Sequence, residues 1–362
     1  MLAPRTRAEP GARACYRGRL TVKSLKLLAG SLAVLYLLTA CGGGGGGGGG
    51  AGFALLPGLS ITQLNSPTIA TEAMASADTV QGSTQGTGFI TGVAVSGGSA
   101  SGSNFNLQDF VLDQLASAMA VGNSQGGIGG ITVSNSVPCS NGRIDFTITI
   151  ADSTGTYLTA GDRIRLNFVG CDDVGTLLNG GFTMVINNIT PFYDPSVPPS
   201  SFILDLSVVM NNFSVNDGLV DFTANGDMAM AFDVNGNAVT LTLSGNGITV
   251  TDGINTETLA GYSYSFITDD STGDFTISLD GTISSALLSG SVSFQTTSAF
   301  TGNTFLAGGN PTAGSTLFTT DIDSSSAILT AQADGSTVVI DVDEDGDGIY
   351  EIQIVTDWAT IG

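Results

Sequence analysis

The most chemically pointed segment of the chain is an acidic run near its C-terminal end, Asp343 to Glu351. It reads Asp-Glu-Asp-Gly-Asp-Gly-Ile-Tyr-Glu, so carboxylates alternate with glycines that let the backbone curl tightly. Calcium takes about 6–8 oxygen ligands, often from carboxylates at alternate positions and a backbone carbonyl. The run therefore predicts a calcium loop. It is not an EF-hand, because the twelfth position counted from Asp343 is Ile354 and not a glutamate.

The spacing D-x-D-G-D-G-x-x-[DE] in this run resembles the calcium loops of FG-GAP and related extracellular repeats. The resemblance implies four side-chain ligands and one backbone carbonyl, from Asp343, Asp345, Asp347 and Glu351 and from Ile349 respectively. That family repeats the loop several times, whereas this chain carries it once, which argues against a propeller of such repeats. The alternative interpretation is a solvated acidic turn that holds no ion.

The residues on either side of the run predict a hairpin. Strands over 337–343 and 349–355, joined by residues 344–348, would place Asp341 directly opposite Glu351. Like charges at opposed positions destabilise a strand pair, so a bound cation would relieve this one.

Composition excludes several function classes. The chain has no histidine and a net charge of -22. The absence of histidine removes the commonest general base and every Ser-His or Cys-His pair, and the negative charge repels nucleic acid. Neither a Gly-x-Ser-x-Gly elbow nor a P-loop is present. We therefore expect a protein that is not an enzyme.

The N-terminal head has the pattern of an export signal. Most of the 10 Lys and Arg residues lie before position 27, and an apolar run of 14 residues follows, Leu27 to Ala40. This run is too short for a membrane-spanning helix, which needs about 20 residues, but it suits a signal peptide. It ends in Leu38-Thr39-Ala40-Cys41, which resembles the bacterial lipobox.

The lipobox resemblance implies that Cys41 is lipidated on sulfur and becomes the new N-terminus. The residue after it, Gly42, is not the aspartate associated with inner-membrane retention, so the outer membrane is expected. A short basic start would result if Val22 were the true initiator, and Cys15 would then not be translated.

Four segments are expected along the chain. They are a signal peptide over 1–40, a lipidated cysteine with a polyglycine tether over 41–58, a partly helical segment over 59–130 and an antiparallel β domain over 131–362. Nine glycines at 42–50 predict a flexible tether of roughly 15–18 Å.

Two helices are predicted in the third segment. Ser66 and Pro67 favour a helix to Ala77, with Ser66 as N-cap. Apolar residues from Leu107 to Met119 recur at helical spacing and predict a helix over 106–120. We expect these helices to pack on the sheet.

The chain after residue 130 is typical of antiparallel strands. Ile144, Phe146 and Ile148 alternate with polar residues, and similar stretches recur at 163–168, 227–232, 239–243, 262–267, 274–283, 291–296, 317–322, 327–330, 336–342 and 349–355. The Asn235-Gly236 pair is the sharpest hairpin signal. The predicted fold is mainly β, a large antiparallel meander that forms an open curved sheet or a sandwich.

The mature chain has two cysteines besides Cys41, and in an oxidising compartment Cys139 and Cys171 most simply form one disulfide. The alternative is two buried thiols. The surrounding segments resemble those of uncharacterised Gly/Asp-rich proteobacterial lipoproteins, namely Cys139–Ile144, Gly161-Asp162, Phe168–Cys171 and Leu178–Gly180. The resemblance implies an envelope β protein, supports the cysteine pairing and carries no known activity.

The sequence thus predicts a non-catalytic lipoprotein of the outer membrane with a structural or binding role. It would face the periplasm or the cell surface, would be held to the membrane by its lipid, and would bind a protein or glycan that the sequence does not identify. A calcium-dependent surface adhesin is the first alternative. A hydrolase that uses paired carboxylates is the second.

Overall fold

The computed structural model describes residues 53–78, 131–151, 159–173, 176–190, 201–216, 221–252, 255–305 and 309–361. The predicted signal peptide, Cys41, the predicted polyglycine tether and the predicted helix over 106–120 lie outside these residues.

The described residues form one open sheet of fourteen strands. Each strand pairs antiparallel with its neighbours in the chain, so sequence order is also spatial order. The strands are β1 Ile131–Pro138, β2 Asn141–Ile150, β3 Arg163–Asp173, β4 Thr176–Thr190, β5 Ser201–Asn216, β6 Asp221–Asn235, β7 Ala238–Asp252, β8 Asn255–Asp269, β9 Asp274–Ser285, β10 Gly290–Asn303, β11 Pro311–Thr319, β12 Ser326–Ala331, β13 Thr337–Asp343 and β14 Ile352–Asp357. The predicted antiparallel meander is confirmed, as a single sheet.

Most central strands are longer than their alternating sequence patterns because bulges shift the alternation. In β5 the buried residues are at even positions up to Met210 and at odd positions from Phe213, with a register shift against β6 between the two. One extra residue at a bulge moves the following side chains to the other face. The hairpin predicted at Asn235-Gly236 is confirmed, since β6 ends at Asn235 and β7 begins at Ala238.

The buried side chains of alternate positions define the inner face of the sheet, and the opposite face is the outer face. The two ends of the strands form two rims. We call the rim with the β9–β10, β11–β12 and β13–β14 connections the entry rim. The far rim carries the β8–β9, β10–β11 and β12–β13 connections.

The segment 53–65, called the strap, passes from the outer face over the entry rim to the inner face. The Phe53 ring packs directly on Gly247, so closely that a Cβ atom added to this glycine would lie 2.4 Å from the ring. Gly247 points to the outer face because its neighbour Ile248 belongs to the core. The strap then pairs with β10 through the Leu59 amide, which donates to the Ser291 carbonyl at 3.1 Å. Ile61, a few residues later, is fully buried in the core.

Helix α1, Ser66–Asp78, follows the strap and contacts β9, β13 and the short C-terminal helix α2, Trp358–Ile361. Its predicted existence is confirmed, but the predicted cap is wrong. The Ser66 amide donates to the Thr62 carbonyl and the Ile69 amide to the Asn65 carbonyl, both at 2.9 Å, so the chain already turns before Ser66. The Ser66 hydroxyl is buried and has no hydrogen-bond partner in the described part of the chain.

Helix α2 follows β14 at the far rim. The Trp358 ring is buried, contacts Phe300 edge-on at 6.1 Å between ring centroids, and donates its indole N–H to the Pro311 carbonyl at 3.3 Å. Among the described residues, neither helix has the length and apolar character needed to cross a bilayer.

A disulfide joins Cys139, in the β1–β2 connection, to Cys171 in β3. The Ser140 amide also donates to the Asp172 carbonyl at 3.1 Å, so the connection is held across the end of β2. The pairing of these two cysteines is as predicted.

We expect the oxidised protein to show no reactive Cys139 or Cys171 thiol in denaturant. Because the bond closes a loop between residues 32 apart, its reduction should lower the free energy of unfolding by about 3–4 kcal/mol. Thiol titration and denaturant unfolding with and without reductant measure both effects. Two reactive thiols in the unreduced chain would contradict the bond.

Candidate metal site

The acidic loop joins β13 to β14 at the entry rim and is longer than predicted. Strand β14 begins at Ile352 and not at residue 349, so the connection comprises residues 344–351. The predicted opposition of Asp341 and Glu351 is therefore wrong. Asp341 lies opposite Gln353, whose amide donates to the Asp341 carboxylate at 2.8 Å. Glu351 therefore lies in the loop and not in β14.

Asp343 organises the loop from its buried end. Its side chain is almost fully buried, and its two carboxylate oxygens accept hydrogen bonds from the amides of Gly346 at 2.8 Å and Gly348 at 2.9 Å. Both glycines have positive φ, 73° and 89°, which other residues adopt with strain. The loop is thus wrapped around the Asp343 carboxylate.

The three remaining carboxylates that the sequence predicts as ligands, those of Asp345, Asp347 and Glu351, are exposed and converge with Asp343. One oxygen atom from each of the four groups lies within 4.8 Å of the others. Calcium–oxygen distances are about 2.3–2.6 Å, so ligands on opposite sides of one ion are about 5 Å apart. For magnesium the corresponding span is only about 4 Å. The cluster could hold a metal ion, and its span fits calcium without contraction.

Two further hydrogen bonds hold the exposed carboxylates in position. Asp345 accepts from the Asp347 amide at 3.2 Å, and Asp347 accepts from the Ile349 amide at 2.8 Å. Ile349 lies between Asp347 and Glu351 in the loop, as its predicted ligand role requires, and the use of its carbonyl stays a prediction.

The loop is packed against its neighbours on the entry rim. A Cβ atom on Gly346 would lie 2.8 Å from the Asp323 carbonyl in the β11–β12 connection. The Glu344 carboxylate accepts a hydrogen bond from the Gln63 amide of the strap. The acidic loop, the β11–β12 connection and the strap are therefore in direct contact.

Hydrogen bonds to Asp323 hold the strap on the entry rim. The Asp323 carboxylate accepts from the Ser60 hydroxyl, and also from the Ser325 hydroxyl at 2.7 Å. The Ser325 hydroxyl in turn accepts from the Ile61 amide at 2.7 Å, in a buried hydrogen bond. The hydroxyl of Ser60, and then that of Ser325, lower the pKa of Asp323 from its ordinary value.

Sequence reasoning did not find these strap contacts. It extended a strand over 317–322, whereas β11 ends at Thr319 and Asp321 and Asp323 lie in the connection. The Asp-Ser-Ser run at 323–325 is typical of a side chain that bonds the backbone two residues later, and this local signal was available. The partner on the strap, more than 260 residues away, left no signal in the sequence.

Comparison of the chain with family models, curated proteins and solved structures found no match.

Replacing Asp323 with alanine should loosen the strap, because Ser60 loses its acceptor and Ser325 is no longer held for the Ile61 amide. We expect faster hydrogen exchange at the Ile61 amide, with Asp233→Ala in the exposed part of β6 as the control for loss of charge, because Asp321 also lies against the strap at Gly58. The pKa of Asp323 is lower in the folded protein than its ordinary value of 3.8. The Asp323 carboxylate therefore contributes fully to the free energy of unfolding above pH 3.8, and this contribution is lost as the pH falls through the pKa of the folded state. Equal exchange in the two variants at neutral pH would refute this role.

Proposed function

We propose that this protein is a non-catalytic lipoprotein of the outer membrane, with a structural or binding role and a calcium ion in its acidic loop. The observation that carries the calcium assignment is the convergence of four carboxylates within 4.8 Å at the entry rim. The lipid anchor rests on the Leu38-Thr39-Ala40-Cys41 ending of the apolar run. The strap that crosses the entry rim begins twelve residues after the proposed anchor, which supports assigning both features to the same end of the molecule.

A structural role for the ion follows from the position of the loop. The loop touches the strap through Glu344 and the β11–β12 connection through Gly346. An ion that fixes the loop would therefore also fix two neighbouring segments of the rim. Repulsion among the four carboxylates opposes the same arrangement when no ion is bound.

The anchor is tested at Cys41. Replacement of Cys41 with serine should abolish acyl labelling and release the protein from membranes, because serine provides no sulfur for lipidation. Cys139→Ser combined with Cys171→Ser is the control, since it removes cysteines without touching the lipobox. Acyl labelling with membrane fractionation measures the outcome. A Cys41→Ser protein that stays in the membrane fraction would overturn the anchor.

Calcium should raise the melting temperature, because it binds the folded loop and not the unfolded chain. A hundredfold excess over Kd contributes about 2.7 kcal/mol, or roughly 4 °C for a chain of this size. Calcium should act more strongly than magnesium, which resists dehydration and requires a tighter site. Asp345→Ala should abolish the response. We choose Asp345 because it is exposed, whereas Asp343 is buried and holds the loop itself.

Two controls separate coordination from general screening. Sodium chloride at matched ionic strength screens charge without coordinating. Asp233→Ala removes the same charge from the exposed part of β6, far along the sheet from the loop, and should keep the calcium response. If sodium equals calcium, or if Asp345→Ala responds like the parent chain, the loop is only an acidic turn.

A further inference from the structure

The two rims of the sheet differ in the side chains that they expose. Each of the three C-terminal connections on the entry rim carries a large aliphatic residue with a side chain open to solvent, namely Leu287, Ile322 and Ile349. The strap adds Leu55, Leu56 and Leu64, and Leu64 is 91% exposed. Single exposed apolar side chains are normal on a protein surface, whereas several on one region of it mark a site of contact with a protein or a membrane.

The connections of the far rim are built differently. The β8–β9 turn is Asp-Ser-Thr-Gly and the β12–β13 turn is Gln-Ala-Asp-Gly-Ser. Among the described residues of these connections, Phe305 is the one large apolar side chain exposed, at 69%. Among these connections, apolar exposure is thus greater on the rim that the strap crosses, while Ile267 and Val355 are exposed near the far-rim ends of β8 and β14.

The segment between Cys41 and the strap indicates which surface the exposed aliphatic side chains of the entry rim would contact. Phe53 is twelve positions after Cys41, so the link between them spans at most about 40 Å. Phe53 lies over Gly247, five residues from the entry-rim end of β7 and nine from its far end, so the entry rim is the nearer of the two rims to the proposed anchor. A short link gives a high effective concentration, so individually weak apolar contacts suffice for docking.

We propose that the entry rim docks on the bilayer that holds the anchor, with Leu64, Leu287, Ile322 and Ile349 inserted among the lipids at the interface. This inference rests on the proposed lipid anchor. The rim stands against the membrane and the polar far rim points away from it.

Charge specifies the kind of lipid surface. Asp321, Asp323 and the acidic loop lie on the same rim as the exposed aliphatic residues. They repel an anionic surface within a Debye length of about 8–10 Å. The favoured partner is therefore a zwitterionic phospholipid such as phosphatidylethanolamine.

The test compares the two rims in one anchored protein. A polarity-sensitive fluorophore is attached to Leu64→Cys or, as the matched control, to Phe305→Cys in the full acylated chain. Both positions are exposed, and the other mature cysteines are blocked by the lipid and the disulfide. The protein is reconstituted in phosphatidylethanolamine–phosphatidylcholine vesicles that contain a lipid-borne quencher. Mass spectrometry first verifies acylation of Cys41.

We expect a blue shift and several-fold stronger lipid quenching at Leu64 than at Phe305. Adding Leu287→Asp and Ile322→Asp should reduce the quenching at Leu64 while acylation is unchanged. Equal quenching at the two positions in a chain of verified acylation would overturn the docking and leave the anchor intact. A blue shift without lipid quenching that grows with protein concentration would overturn it in favour of a second copy of the chain. Absence of the acyl group would overturn the anchor and the docking together.

Discussion

The inner face of the sheet is apolar across nearly its whole width, and the fold depends on keeping that face away from water. A sheet buries one face by curving on itself or by packing against another layer. Among the described residues, the strap and helix α1 supply that layer at the C-terminal strands, with Ile61, Ile69 and Ala73 in the core. The strap reaches the inner face only by crossing the entry rim, and this crossing determines how the rim is built.

The crossing makes the entry rim the place where distant parts of the chain meet. Asp323 holds the strap through Ser60 and Ser325, and Glu344 holds it through the Gln63 amide. The carboxylate cluster lies beside these contacts, in a loop whose Gly346 packs on the β11–β12 connection. Local chemistry at the loop is therefore linked mechanically to the segment that completes the core. The same rim carries the exposed aliphatic residues, so the acidic loop and these apolar side chains belong to one end of the molecule.

The sequence predicted the class of fold and the grouping of the four carboxylates, because both depend on local pattern. Alternation of apolar residues sets which side of a strand is buried, and the Asp-rich run gathers its carboxylates within nine residues. Strand length and register were not predicted. Bulges such as the one between Met210 and Phe213 reverse the alternation, and Gln353 rather than Glu351 opposes Asp341 because the loop retains Glu351. The strap was missed because its backbone amides carry much of its attachment, and every residue type has one.

Hydrogen exchange measured with and without calcium tests the central claim that the rim acts as one unit. If the acidic loop and the strap are linked as described, calcium should slow exchange in residues 343–351 and also at the Gln63 and Ile61 amides of the strap. Amides of the β12–β13 turn at the far rim should be unaffected and serve as the internal reference. Slower exchange confined to the acidic loop, or an equal change at both rims, would contradict the account.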